Sequence, residues 1–387
     1  MRSLTNTIYK SFVFRFFPKK RTRHLLGDMR RKKSKTLILP SMMNPQIQQI
    51  CDLTSSTYHS VKYQENTFYI AGSTWNRKTV RKSGEGIHSA QGVLSCICDG
   101  NVQSFLMDSD MLYTVEILSP ELLFLGAKTE KNAFQLFSLS QQKVIQQQHD
   151  TRGGGCYVSC YLPQERELLV NTRNGILHLI DSTTLFVKES MQITPLGIRL
   201  WVLDYDKNEE IIYTADYAGT LYKIQKKGLK ILKKICLLDL YCSRDNHGNP
   251  PSLWGLSSGK GTTIGGDRFG GVTIFNEDLR IQNHYRLLKN GDILTDPLQK
   301  VPSSEVESIM SLKRIDDQHF LFGSRWGNVF LGDIQGNVQK ILTVPMGIQK
   351  ENSAFTMEYA DTPNGIVEIL VTFGDGQVYS FRFADSL

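Results

Sequence analysis

A chain of 387 residues could hold two or three ordinary domains, but closed all-β folds of this length also occur as one domain. Hydrophobic residues make up 40% and charged residues 21%, with 31 glycines and 12 prolines, which is typical of a globular protein with many turns and excludes a largely disordered chain. No window approaches about eighteen uninterrupted apolar residues, so no membrane span is predicted.

The net charge of +7 is concentrated at the N-terminal end. Residues 1–40 carry twelve Lys or Arg and one acid, Asp28, which leaves 33 basic and 37 acidic residues in 41–387. A fold that binds nucleic acid usually spreads basic charge over its surface, so only this arm supports a nucleic-acid partner. Its basic clusters contain Lys19, Lys20, Arg21, Arg23, Arg30, Arg31, Lys32 and Lys33.

Three interpretations of residues 1–43 remain open. They could be a mitochondrial presequence, because the first 27 residues lack acids and mix arginine with Ser, Thr and aromatic residues. They could be a basic arm for nuclear import or nucleic acid. They could also be a disordered extension upstream of a start at Met29 or Met42. The expected compartment is therefore the cytoplasm or nucleus, or the mitochondrion if the first interpretation holds.

A unit that recurs seven times dominates the rest of the chain: a short apolar run, a turn with glycine and a second apolar run. Two irregular copies, 68–73 with 92–98 and 122–139, precede five regular copies at 168–181, 211–224, 263–275, 320–334 and 369–383. Apolar and polar residues alternate within the runs, which indicates strands. The turn glycine suits a reversal that needs positive φ, so each copy predicts a β-hairpin.

The spacing of the units favours an all-β, seven-bladed β-propeller over residues 44–387. Spacings of roughly 43 to 58 residues fit four-stranded blades, for which about 40 to 50 residues is typical. A two-sheet sandwich would also show glycine turns, but seven hairpins would make it unusually large. Only four residues follow the last predicted hairpin, so we expect a strand near 47–53 to complete the last blade and close the ring.

The hairpins resemble the two central strands of WD-repeat blades over nearly all of 45–383. Asp216 and Asp267 match an aspartate that this family often has before the turn glycine, and Arg173 and Arg325 stand at the comparable place in two other blades. The Trp-Asp dipeptide of the family is absent, with Ile180 preceding Asp181 in one of its places, so the chain resembles a degenerate member. The resemblance implies a non-enzymatic scaffold that binds protein or peptide partners within a larger complex.

A narrower resemblance is to the diphthine methylesterase family, the WD-repeat proteins of diphthamide synthesis. It rests on STYHSVKY at 56–63, FYIAGSTW at 68–75, GVLSCI at 92–97 and the run 200–224 that contains Trp201. The histidine expected shortly before Trp201 and a Gly-Gly-Val-Trp segment are missing. This resemblance implies a hydrolase acting on elongation factor two, and it leaves the catalytic residues unknown.

The hairpin turns carry charged and aromatic side chains that the WD-repeat resemblance places together around the central channel. They are Arg173, Asp216, Arg268, Phe269, Arg325, Trp326 and Asp375. Arginine and aromatic residues are enriched at binding hot spots, so these residues are candidates for holding a protein or peptide. The alternative is that Phe269 and Trp326 only pack over the channel.

Other patterns predict no cofactor and no metal. The seven cysteines are odd in number and lack a CxxC pair, which predicts reduced thiols, and the eight histidines show no ligand spacing. His178 falls within a predicted strand, where we expect local hydrogen bonds. The run SSGKGTT at 257–263 departs from a phosphate-binding loop at Trp254 and Gly261 and predicts a solvated loop, and the three glycines at 153–155 predict a flexible link between blades.

Overall fold

The computed structural model describes residues 45–52, 57–74, 91–98, 101–241, 249–296, 299, 301–302, 304–344, 354–360, 367–373 and 377–383. Within these ranges there are 29 strands and one helical turn, α1 (Leu238–Tyr241). None of the described residues belongs to a helix that is long and apolar enough to cross a membrane. The basic arm and its candidate residues lie outside the described ranges.

The strands form seven antiparallel sheets, numbered here as blades in chain order. Blade 1 consists of β2 (Thr57–Gln64), β3 (Thr67–Ser73), β4 (Gly92–Cys98) and β5 (Asn101–Leu106). Blade 2 consists of β6 (Leu112–Ser119), β7 (Leu122–Ala127), β8 (Phe134–Ser138) and β9 (Lys143–Gln148). Blade 3 consists of β10 (Cys156–Leu162), β11 (Glu167–Thr172), β12 (Ile176–Asp181) and β13 (Val187–Gln192). Blades 4 and 5 are β14 (Leu200–Asp206), β15 (Ile211–Asp216), β16 (Thr220–Gln225) and β17 (Lys230–Cys236); and β18 (Leu253–Gly259), β19 (Thr262–Asp267), β20 (Gly271–Asn276), β21 (Ile281–Leu287) and the short β22 (Ile293–Leu294). Blades 6 and 7 are β23 (Ile309–Arg314), β24 (His319–Ser324), β25 (Asn328–Asp333) and β26 (Val338–Thr343); and β27 (Ala354–Ala360), β28 (Val367–Phe373), β29 (Gln377–Phe383) and β1 (Gln46–Asp52).

The first strand of each blade lies at the centre of a closed ring. These inner strands, β2, β6, β10, β14, β18, β23 and β27, each contact the inner strand of the next blade, and β27 contacts β2. At the outer side of blade 7, β1 pairs antiparallel with β29, with Gln46 opposite Arg382. The chain is a seven-bladed β-propeller, which confirms the predicted fold class.

The core lies between neighbouring blades, because the middle strands of each blade are covered on both faces. Val170 of β11 and Ile180 of β12, for example, pack with Phe124 and Phe134 of blade 2. In blade 3, for example, β11 and β12 are buried at nearly every position and carry long apolar runs, whereas the outer strand β13 exposes most of its side chains. This difference explains why the two middle strands of each blade were the units that the sequence revealed.

The predicted glycine turns connect the second and third strands. The four described turn glycines, Gly175, Gly219, Gly270 and Gly327, have φ between 77° and 88°. The side-chain oxygen of the last residue of the second strand accepts a hydrogen bond from the backbone N–H of the first residue of the third strand. The pairs are Thr172 with Ile176, Asp216 with Thr220, Asp267 with Gly271, and Ser324 with Asn328. Thr172 and Ser324 are therefore the equivalents of Asp216 and Asp267. The sequence-based prediction that Arg173 and Arg325 are the equivalents was wrong by one residue in each blade.

Two loops contain the glycine-rich runs at 153–155 and 257–263. Gly153 donates its N–H to Asp150 Oδ1 at 2.8 Å, and a Cβ on Gly155 would lie 2.2 Å from the carbonyl oxygen of Lys128. This connection between blades 2 and 3 is a close-packed turn, which corrects the prediction of a flexible link. The run 257–263 forms the hairpin between β18 and β19, where the exposed Lys260 pairs with Asp317.

Candidate functional site at the channel mouth

A cavity of about 610 Å³ occupies the central channel, and all seven inner strands contribute to its wall. Pockets that bind ligands typically enclose about 300–1,000 Å³. The cavity is therefore large enough to admit side chains of a partner or a small molecule.

Each inner strand has a β-bulge close to its first residue, where the pairing with the second strand skips one position. The skipped residues of blades 1 to 7 are His59, Tyr113, Tyr157, Trp201, Trp254, Met310 and Phe355. A bulge redirects its side chain, and the first six of these residues line the cavity. We call His59, Tyr113, Tyr157, Trp201 and Trp254 the aromatic belt.

Successive rings of the belt touch one another across five blades. His59 stacks on Tyr113 with centroids 4.5 Å apart, Tyr113 lies 4.8 Å from Tyr157, Tyr157 lies 5.4 Å from Trp201, and Trp201 lies 4.9 Å from Trp254. Such pairs contribute about 0.5–1.5 kcal/mol each beyond the area they bury. Burial, with a smaller effect from the charge of Lys128, lowers the pKa of His59 to about 4, so this ring is neutral at pH 7.

The first turn residue after each second strand stands beside the belt. In blades 2 to 6 these residues are Lys128, Arg173, Tyr217, Arg268 and Arg325. The backbone N–H of each donates, at 2.9–3.4 Å, to the carbonyl two residues before the bulged residue of its own blade. Four of the five are cationic, and because the same turn position recurs in each blade, their charges gather on one face.

Arg199 adds a fifth cation to this face. Its guanidinium carbon lies 5.8 Å from the ring centroid of Tyr157, 5.4 Å from that of Trp201 and 4.9 Å from that of Tyr217. The five residues Lys128, Arg173, Arg199, Arg268 and Arg325 are called here the mouth cations. Lys128, Arg268 and Arg325 line the cavity itself.

Three carboxylates near the turns are directed into the blades, whereas Asp110 acts on Lys128 and Tyr113 at the mouth. Asp216 accepts from the Tyr222 hydroxyl at 2.8 Å, Asp267 accepts from the Tyr241 hydroxyl at 2.5 Å, and Glu307 accepts from Ser324. These acids are buried and do not line the cavity. The mouth is thus locally positive although residues 41–387 carry a small net negative charge.

Deeper in the channel, charged side chains neutralise one another. Lys62 lies 3.1 Å from Glu116 and 3.0 Å from Glu358, and Lys313 lies 2.8 Å from Glu358. Each stands three residues after the bulged position of its inner strand, as does Asp204, which accepts from Ser258. We call Lys62, Glu116, Asp204, Lys313 and Glu358 the channel network.

The structure separates the predicted rim residues into two groups. Arg268 and Arg325 line the cavity, and the exposed Arg173 occupies the equivalent turn position of blade 3. Their role in binding a partner stays a prediction.

The other rim candidates lie away from the cavity wall. Asp216 is buried in its own turn, and Phe269 is buried with its ring 5.3 Å from that of Tyr241. Trp326 is half-buried and donates Nε1–H to the carbonyl of Val306. Asp375 lies outside the described residues.

No protein-family model matches the chain, and no curated protein matches its sequence significantly. The geometry of the blades and of the channel mouth is therefore the basis for assigning a function.

A serine, a histidine and an aspartate meet in blade 3, away from the cavity wall. His178 Nδ1 lies 2.8 Å from Ser190 Oγ, and His178 Nε2 lies 3.5 Å from Asp150 Oδ1. A catalytic serine needs a substrate cavity beside its hydroxyl, and none of the three residues lines the channel cavity. The cluster links β12 and β13 to the turn before β10, and the local hydrogen bond expected for His178 is confirmed at Nδ1.

The described residues contain no group of three or more histidine, cysteine or acidic side chains arranged to hold a metal ion. The five cysteines whose side chains are described are free thiols. Burial raises the pKa of Cys96, Cys156 and Cys160, so these sulfurs are protonated and unreactive at neutral pH.

Proposed function

We propose that this propeller is a non-enzymatic interaction module that holds a protein partner against the channel mouth, within a larger complex. The observation that carries the proposal is the aromatic belt standing beside the mouth cations at the opening of a 610 Å³ cavity. Tyr, Trp and Arg are the residues most often found at interface hot spots, because they combine large contact area with polar groups.

The turn geometry supports the degenerate WD-repeat interpretation of the fold. Thr172, Asp216, Asp267 and Ser324 hold the same turn by the same hydrogen bond in four blades. The narrower diphthine methylesterase resemblance loses its specificity, because Trp201 occupies a bulge position that is aromatic in six of the seven blades. A nucleic-acid partner for the basic arm stays a prediction about residues outside the described ranges.

The proposal is tested by affinity purification of the full chain with quantitative mass spectrometry. We expect partners recovered with the wild type to be lost with Trp201→Ala and with Tyr217→Ala, since both half-buried rings belong to the mouth. The matched control is Phe186→Ala together with Leu232→Ala, which removes apolar side chains exposed at the outer side of blades 3 and 4. Each variant is first compared with the wild type by thermal unfolding.

Loss of partners in a folded mouth variant, with retention in the control, supports the proposal. Retention of every partner in both mouth variants contradicts it. Loss in the outer control alone would place the interface on the rim of the disc instead.

A further inference from the structure

Three of the mouth cations have no carboxylate within ion-pair distance in the described part of the chain. Lys128, Arg173 and Arg199 take part in no ion pair there, and Arg199 instead lies against aromatic rings. Lys128 makes a long contact with Met111 Sδ at 4.0 Å. These three residues are called the cation group.

The members of the cation group act on one another. Burial lowers the pKa of Lys128, Asp110 opposes this, and the charges of Arg173 and Arg199 lower the pKa further. Arg173 and Arg199 also lower the pKa of Tyr113, although burial raises it overall. The charge of Asp110 acts on Lys128 more strongly than either arginine does, so the repulsion among the cations is partly offset, and an anion bound among them would offset it further.

We propose that the channel mouth binds an acidic peptide segment of the partner, with carboxylate or phosphate groups against Lys128, Arg173 and Arg199 and an apolar side chain against the aromatic belt. The inference rests on the proposed function and names the chemistry of the partner. Guanidinium groups suit such ligands because they donate two parallel hydrogen bonds to one carboxylate or phosphate.

The belt favours a peptide over a nucleobase. A base binds by stacking on an open aromatic face. Here the ring of Tyr113 is stacked by His59 at an interplanar angle of 8°, and Arg199 lies near the rings of Tyr157 and Trp201. The acidic body would also repel a long polyanion, whereas a short segment senses charge only within about 8–10 Å at physiological salt.

The test measures binding of capped pentapeptides, Glu-Glu-X-Glu-Glu with X apolar or aromatic, by titration calorimetry. The same peptides with glutamine in place of glutamate, inorganic phosphate and adenosine monophosphate are the comparison ligands. The protein is the full chain in which the eight arm residues named above are changed to glutamine, so that the arm does not bind the probe. Titrations at low and high salt show whether binding depends on charge.

In that background, the mouth variant combines Lys128→Gln, Arg173→Gln and Arg199→Gln. The control variant combines Lys230→Gln, Lys233→Gln and Lys234→Gln, which removes the same charge from exposed positions on β17. We expect at least one acidic peptide to bind, with Kd weakened roughly tenfold or more in the mouth variant and unchanged in the control. If the triple variant fails to fold, Arg173→Gln alone, at an exposed side chain, is measured with Lys233→Gln as control.

Each result decides the question. Binding that is equal in the mouth and control variants, glutamine peptides that bind as well as glutamate peptides, or no binding by any acidic peptide would overturn the inference. Stronger binding of adenosine monophosphate than of the peptides would replace the peptide by a nucleotide. If partner binding is lost with Trp201→Ala but not when the cation group is changed, the proposed function stands. Only the inference that the bound segment is acidic is then overturned.

Discussion

Replacing Lys62 by methionine tests whether the channel network stabilises the closed ring. Lys62 of blade 1 contacts Glu116 of blade 2 and Glu358 of blade 7, and the three side chains are only 22%, 5% and 24% exposed. Burial alone would lower the pKa of Lys62, but the two carboxylates raise it, so the ammonium is charged at neutral pH. Removing one partner of a buried ion pair costs about 3–5 kcal/mol. Glu358 keeps its contact with Lys313, so we expect a loss near the lower end, about 3 kcal/mol.

The matched control is Lys188→Met, since Lys188 also lies between two carboxylates, Glu167 at 3.1 Å and Asp181 at 3.6 Å, but is 37% exposed. Exposed pairs contribute at most about 1 kcal/mol. Thermal unfolding followed by circular dichroism should show a Tm lowered by roughly 6 °C for Lys62→Met and by under roughly 2 °C for Lys188→Met, at about 2 °C per kcal/mol for a chain of this size.

The dependence on pH gives a second readout for Lys62→Met. Burial raises the pKa of Glu116 even with Lys62 present, whereas Lys313 and Lys62 outweigh burial and hold the pKa of Glu358 at about 2. Without Lys62 the pKa of Glu116 rises further, so this carboxyl takes up a proton as the pH falls and the deficit relative to the wild type should shrink, whereas Lys313 keeps Glu358 ionised. Equal Tm values for the two lysine variants, or a deficit that does not change with pH, would refute the reasoning.

Two further predictions concern a buried acid and the closing strand. Burial raises the pKa of Asp267 to about 6, despite hydrogen bonds from Tyr241 and Gly271 that lower it. Because this exceeds the unfolded value of about 3.9, the folded wild type should lose about 2 kcal/mol as the pH rises from 4 to 6. Asp267→Asn should lack this part of the slope in Tm measured against pH, and parallel curves would contradict the assignment. Deletion of 1–55 removes β1 and exposes the edge of β29, so we expect a lower Tm and concentration-dependent aggregation in light scattering. Deletion of 1–43 is the control and should leave Tm unchanged; equal behaviour of the two deletions would show that β1 is dispensable.

The β-hairpins could be predicted from the sequence because the pattern that indicates each one, two apolar runs around a glycine turn, lies within a short segment. In β15 and β16, for example, apolar runs flank Gly219, and the two strands pair as a hairpin. The strand expected near 47–53 follows from the same count, since seven hairpins need an outer strand for the last blade. The boundary near residue 44 stays a prediction.

The aromatic belt at the channel mouth could not be predicted from short segments in the same way. The aromatic belt becomes visible only when the inner strands are aligned at their bulges, and bulges depend on pairing between strands. One signal was present: Tyr157, Trp201 and Trp254 each precede a turn glycine by 16 to 18 residues. The channel network had no local signal, because Glu116 and Glu358 reach Lys62 only through closure of the ring.

The pairing of β1 with β29 also sets the order in which the molecule can be assembled during synthesis. Gln46 and its partner Arg382 are 336 positions apart, so at roughly 5–20 residues per second the second emerges from the ribosome roughly 20 to 70 s after the first. During this interval the earlier blades can form, but β1 has no strand to join. The nascent protein must therefore keep β1 unpaired until β29 has been synthesised, and this interval is when chaperones would have most reason to bind it.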